Sequence, residues 1–489
     1  MLKFCCYSKE HQCASAERRG AYLLGAGGIP VRGEVQVDGH VITCESRSQE
    51  ALALSVLWPI EGIGEVQLQT TRLPPHDEPY NLHIELLRHR LMSISAKLEE
   101  WGLYDFPGLE EILGRIEEAR RLFIEALQAQ EDGPAAARLA DQALTLAVTA
   151  SEELCHFHAT IFLDRRRQSG NLRGKHLGVG LWAGTPAKVI EARIRDVFDF
   201  VRVPFVWREV QPGERKFLFD EADGWIQTAA RCGLDVWGGP LLNFGVQFVP
   251  DWIHRWESDY ETIVSFAREH VRQTVERYAG RVDHWVAVSG LHADGVFPFS
   301  FEQIIDLTRM AVTTIRRAAA GAHIVLDITQ PWGEYHARNP RTVPPLLYAE
   351  MAAQAGIPFD AFGVQLVFGL DSDGYRLRDM LQISALIDRL AIHGKQVHVT
   401  AVAVPSDGAD AALAKGRWSE DFQAEWLARF CEMALSKPYV ESVCLHTLTD
   451  RHCTIVPAGG VLRKDFSPKP VVERLGKLLA ELKSSQPGG

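Results

Sequence analysis

The rhythm of apolar and polar positions changes several times along the chain. Residues 1–19 are polar and irregular, which predicts a flexible tail. Over 20–75 the apolar positions alternate. Glu34-Val35-Gln36-Val37 sends every second side chain to one face, Asp38-Gly39 supplies a type I′ turn, and His40-Val41-Ile42-Thr43-Cys44 returns as the second arm of a hairpin. Ala51 to Ile60 adds an apolar run and Glu65-Val66-Gln67-Leu68-Gln69-Thr70 alternates again, so the segment predicts a small β-sandwich-like unit. Pro74-Pro75 breaks this pattern. Over 76–170 the period lengthens to that of helices: Leu82, Leu86, Leu87, Leu91 and Ile94, then Ile112, Ile116, Ala119, Leu122 and Phe123, then a third run opened by Pro134 through Leu139, Leu144, Val148 and Leu154. Three long helices joined by short links predict antiparallel packing. Their carboxylates (Glu99, Glu100, Glu110, Glu111) fall on solvated faces and form no catalytic constellation.

From 175 to 484 short apolar runs alternate with longer helical stretches. The candidate strands are 177–182, 200–206, 235–240, 284–289, 323–328, 362–367, 396–402 and 443–447. Continuous apolar strands suit a parallel sheet buried on both faces, and eight β units separated by helices predict an α/β fold, the (β/α)8 TIM barrel. In such a barrel the chemistry sits on loops that follow the carboxyl ends of the strands.

Composition narrows the function. A net charge of -11 opposes sequence-independent binding to nucleic acid, and Arg165-Arg166-Arg167 is expected to be a solvated helix end. No stretch approaches the roughly 20 apolar residues that span a bilayer, and the first residues carry no signal-peptide h-region. With nine cysteines, an odd number, scattered mostly through apolar segments, this predicts a cytoplasmic protein with reduced thiols. Cys5, Cys6, His11 and Cys13 fit no closed zinc spacing, and Cys155 and His158 read as a packed helix face. No metal or cofactor is expected.

Several local motifs, in order, carry a resemblance to a known family. After the second barrel strand comes Trp207-Arg208-Glu209-Val210-Gln211-Pro212-Gly213, followed by Phe217 and Asp220 to Asp223. After the third comes Pro250-Asp251-Trp252. Arg277-Tyr278-Ala279-Gly280 leads into the fourth, Gly363-Val364-Gln365 lies in the sixth, and Asp450 and Ser467-Pro468-Lys469-Pro470 follow the eighth. In this series the segment resembles glycoside hydrolase family 10, the xylanase-like retaining barrel glycosidases. The Trp-Arg-Glu-Xaa-Xaa-Pro form is shared with sibling barrel hydrolases of the same clan. The resemblance implies a mouth that binds an oligosaccharide or polysaccharide, with Trp207, Trp252, Ser289, Gln330, Trp332, Glu334, Gln365, His446 and Asp450 as candidate substrate-binding residues.

It also implies two catalytic glutamates, and neither is present. A retaining glycosidase needs one carboxyl to protonate the leaving oxygen and a second, about 5–5.5 Å away, to attack the anomeric carbon. Where the family places the acid, at the end of the fourth strand, this chain reads Trp285-Val286-Ala287-Val288-Ser289-Gly290. Where the family places the nucleophile it reads Thr400-Ala401-Val402-Ala403. Glycine and alanine can neither donate a proton nor attack carbon. Positions that grip the sugar in the family are altered as well: Val206, Gly239, Val367 and His446 replace its lysine, two histidines and tryptophan.

The residues favour a degenerate barrel kept as a carbohydrate-binding or scaffold protein, with ten of its 12 tryptophans between Trp182 and Trp426. Two alternatives stay open. One is an active hydrolase with displaced carboxylates, drawn from Glu334, Asp294 and Asp371, with Asp373, Asp407 and Asp410 on neighbouring loops. The other is a structural or assembly role, with a protein partner or self-association through the helical region. A metal held by His292, Asp294, His446 and Asp450 is a weaker alternative to a backbone-bonded histidine.

Overall fold

The structure, a computed structural model, describes residues 1–7, 20–48, 50–170, 172, 176–293, 295–339, 341–407, 418–452 and 455–484. His11, Cys13, Asp294 and Asp410 lie outside the described residues.

The amino-terminal strands are β1 (Leu2–Cys5), β2 (Tyr22–Leu24), β3 (Pro30–Val31), β4 (Gly33–Asp38), β5 (Val41–Ser46), β6 (Ala53–Ile60), β7 (Gly64–Gln69) and β8 (Tyr80–Asn81). They form two four-stranded sheets, ordered β4-β5-β1-β8 and β3-β2-β6-β7. The expected tail fails at residues 2–5. β1 pairs antiparallel with β5, and alternation turns Leu2 and Phe4 into the core. The hairpin of β4 and β5 turns at Gly39-His40, one residue later than the motif suggests, because Asp38 still pairs with Val41. Gly39 takes the positive φ of 57° that this two-residue turn requires.

Three helices follow: α1 (Leu82–Glu100), α2 (Glu110–Gln128) and α3 (Gly133–Gln168). Asn81 caps α1 by accepting from the amides of His83 and Ile84; Asp132 caps α3, with Pro134 in its first turn. α3 packs on α1 and α2 and, on its other side, on the barrel helix Glu420–Ser436. Its end corrects an expectation. Arg166 is buried, and its guanidinium donates to the carbonyls of Leu435, Lys437 and Val440, closing the end of that barrel helix.

The barrel strands are β9 (Leu177–Gly180), β10 (Phe200–Val203), β11 (Asp235–Gly238), β12 (His284–Ser289), β13 (His323–Ile328), β14 (Ala361–Val367), β15 (Gln396–Ala403) and β16 (Val440–Leu445). They pair in parallel, each with the next, and β16 closes on β9. Phe200, Trp237, Val286, Val325, Ala361 and Cys444 form one buried layer. Among the described residues, no helix is long and apolar enough to cross a membrane.

The helical region is joined to the barrel by buried charge. Arg90 of α1 forms a bidentate ion pair with Asp379, the cap of the barrel helix Met380–Ala391, and both side chains are removed from water. Lys97 and Lys437 share Asp388, at 2.5 and 2.6 Å. Glu152 of α3 accepts from the amide of Met380 at 2.6 Å. Burial, then the charge of Asp379, push the Glu152 carboxyl up to about 7, against the Met380 amide and Arg90. A carboxyl raised above its usual ~4.3 supports the fold fully below that pH and loses this contribution as pH rises through 7. Urea unfolding of wild type and Glu152→Gln at pH 5 and pH 8 measures this. The wild type should lose roughly 1–2 kcal/mol relative to the variant over that interval, a figure reduced for partial exposure.

Candidate carbohydrate site at the barrel mouth

The period of two along β13 places Val325 in the buried layer and Asp327 one step closer to the mouth. Asp327 has no exposed surface. Its carboxylate accepts from Ser289 Oγ of β12 at 2.6 Å, from Gln365 Nε2 of β14 at 2.5 Å and from Thr400 Oγ1 of β15. Gln365 Nε2 also donates to Ser289 Oγ at 3.1 Å. Burial pushes the Asp327 carboxyl above its ordinary range, opposed by these three donors and by the charge of Arg202. The sequence carried a signal for this residue, a lone aspartate inside the apolar run Ile324-Val325-Leu326-Asp327-Ile328, which strand periodicity alone leaves without a role.

Above this network lies a cavity of about 400 Å³. Its floor includes Arg202, which β10 turns inward two residues after Phe200. Arg202 is 5% exposed, and among the described residues its guanidinium makes no hydrogen bond or ion pair. Beside it, both ring nitrogens of buried His446 lack hydrogen-bond partners among the described residues. Burial and then Arg202 push this imidazole down to about 3, so it is neutral. Gly180 leaves room for the arginine; a Cβ there would stand 2.3 Å from the His446 carbonyl oxygen and 3.2 Å from the guanidinium. The walls carry Trp182, Tyr375 and Phe248 with the amides of Asn243, Gln330 and Gln365. Trp182 meets the His446 ring edge-on at 5.4 Å and donates to its carbonyl.

Of the residues expected at the mouth, Gln330, Gln365 and His446 line the cavity, and Ser289 lies beneath it in the Asp327 network. The others are elsewhere. Trp207 and Trp252 are packed inside: Trp207 Nε1 donates to Gln211 Oε1, its ring stacks on His270, and Trp252 Nε1 donates to the Gln211 carbonyl. Trp332 and Glu334 turn away toward the amino-terminal sheets. There Glu334, 2% exposed, pairs with Arg378, which also takes the Tyr22 hydroxyl and lies over the Trp332 ring. Asp450 pairs with Lys469 at 2.8 Å and accepts from the Gly460 amide. Asp371 and Asp373 hold Arg376, and His292 is bonded to the Tyr335 hydroxyl. Of the candidate metal set His292, Asp294, His446 and Asp450, Asp294 lies outside the described residues, and the other three are not brought together, since each has a different neighbourhood.

Positions 290 and 401 are shaped for the residues they hold. Gly290 lines the mouth at φ +68°, and a Cβ there would stand 2.9 Å from Thr329 Oγ1. Ala401 is fully buried in an apolar cluster with Val367, Ala403 and Val456. Among the described lining residues there is no aspartate or glutamate.

Residues 204–455 match the family model described as Glycosyl hydrolase family 10. An endo-1,4-beta-xylanase B from Thermotoga neapolitana is 21% identical over 287 residues, covering 56% of this chain and 78% of that one. An endo-1,4-beta-xylanase C from Paenibacillus barcinonensis is 26% identical over 213 residues, which cover 39% of this chain and 19% of that longer one. Among solved structures, Xylanase10C from Cellvibrio japonicus, a mutant in complex with xylopentaose, superposes with a TM-score of 0.50 at 15% identity, covering 63% of this chain and 68% of that one. At this identity the likeness is one of fold.

The geometry gives Glu334 a structural role. Glu334→Gln leaves the buried Arg378 guanidinium without its counter-charge and should cost roughly 2–4 kcal/mol in urea unfolding, with ligand binding at the mouth unchanged.

Proposed function

The chain belongs to glycosyl hydrolase family 10, and from that premise we propose that it binds an oligosaccharide or polysaccharide in the barrel mouth without hydrolysing it. One observation carries this reading. The cavity offers amides and the rings of Trp182 and Tyr375, while among the described residues no carboxylate lines it, Asp327 below is engaged by three donors and Glu334 at the seam by arginine. Rings and amides recognise sugars by stacking and hydrogen bonding. Retaining hydrolysis requires two free carboxyls on either side of the anomeric carbon.

Stacking adds about 1 kcal/mol per aromatic beyond area burial, so two or three contacts give affinities of about millimolar to high micromolar. Titration with xylo-oligosaccharides, following tryptophan fluorescence, should show saturable binding that Trp182→Ala removes. Trp207→Phe should leave it, because the Trp207 ring is inside. If no oligosaccharide perturbs the mouth at high concentration, an assembly role takes its place, with exposed Met92, Tyr104 and Ile124 of the helical region as its surface.

Xylanase turnover should stay at background, and Gly290→Glu with Ala401→Glu should not create it. A glutamate at 290 meets Thr329 in a left-handed backbone costing about 1–2 kcal/mol, and one at 401 would enter an apolar cluster. Turnover near that of an ordinary xylanase in the double variant, or robust turnover in the wild type, refutes the non-catalytic reading.

A further inference from the structure

At the opposite end of the barrel three side chains converge that the mouth does not use. His323 begins β13, His398 is the third residue of β15, and Glu441 is the second of β16. One donor atom from each lies within 4.8 Å of the others. His323 Nε2 and His398 Nε2 face each other at 3.2 Å, and Glu441 Oε2 stands 3.7 Å from His398 Nε2.

These separations match a coordination polyhedron. Two imidazole nitrogens bound to zinc at 2.0–2.1 Å with a tetrahedral angle lie about 3.3–3.4 Å apart. The carboxylate is slightly farther, and the Glu441 side chain, 45% exposed, is free to close that gap. A second observation concerns orientation. His398 Nδ1 is bonded to Ser442 Oγ at 2.9 Å, which leaves Nε2 to face His323 and Glu441. A ligating histidine is held in this way, its other nitrogen fixed by a polar neighbour. Trp237 closes the inner side, stacked on His284 at 4.4 Å and edge-on to His398 at 4.8 Å. Solvent reaches the group from the Glu441 side.

We propose that His323, His398 and Glu441 form a binding site for one divalent transition-metal ion of the zinc type at the amino-terminal end of the barrel. Two imidazoles and a carboxylate are a borderline donor set, suited to zinc or cobalt rather than to calcium or magnesium. Water completes the fourth position. The ion ties β13, β15 and β16 together at the face of the barrel that serves stability rather than chemistry.

The whole chain, freed of metal with a chelator, is dialysed against limiting zinc and its metal content measured. One zinc per chain is expected, with a higher melting temperature. His323→Ala and Glu441→Gln, both at partly exposed positions, should each lose the bound zinc and the thermal shift while keeping the wild-type circular dichroism spectrum. Ser442→Ala, which removes only the partner of His398 Nδ1, should weaken binding by about tenfold. Cobalt in place of zinc should give d–d absorption without thiolate charge-transfer bands. No retained zinc overturns the proposal. So does zinc that survives His323→Ala, and so do cobalt spectra with thiolate bands, which would assign the metal to cysteines such as Cys5 and Cys6.

Discussion

The carboxylate of Asp327 is the interaction on which the mouth of this barrel depends. An isolated charge with no exposed surface is costly, and the cost is offset only while Ser289, Gln365 and Thr400 all donate to it. These donors come from the two strands after β13 and the one before it, so a single group sets the inner ends of four consecutive strands. Removing it would leave the buried Ser289 hydroxyl without its acceptor, at about 1–3 kcal/mol, and Gln365 and Thr400 with only their longer bonds to Ser289 Oγ and the Val364 carbonyl. The same bonds aim Gln365 and occupy Ser289, so the polar groups under the cavity are committed to one another before a ligand arrives.

Charge outside the barrel is committed in a similar way. Arg90–Asp379 and Lys97–Asp388 join the amino-terminal helices to the barrel helix that follows β14, and Arg378, paired with Glu334, donates to the Tyr22 hydroxyl of the amino-terminal sheet. Breaking one partner of a buried pair exposes the other to a large desolvation cost, so the halves are coupled rather than merely adjacent. This coupling explains why an acid that follows the fifth strand, where a family 10 barrel would direct residues to its mouth, is a structural group here. Glu334 is held by an arginine on one side and a backbone amide on the other.

Much of this was written in the order of residues. The change of apolar period from two to that of a helix, and then to alternating short and long runs, marks the sheets, the three long helices and all eight barrel strands, because burial of one face imposes that period locally. The ordered motifs from Trp207 to Pro470 identify the family. Tertiary structure decided which of these groups meet. Strands buried on both faces have no polar side to show which residue points inward, so Arg202 and Asp327 stood out as lone charges in apolar runs without showing which way they point. Trp207 and Trp252 followed the right strands but were drawn inside by Gln211 and His270, and Trp332 and Glu334 were turned to the seam by Arg378, a residue 44 positions beyond Glu334. His323 and His398, 75 positions apart, face each other because β13 and β15 flank β14 in the sheet. Local pattern is set by burial; the direction of a loop or an inward side chain is set by partners distant in the chain.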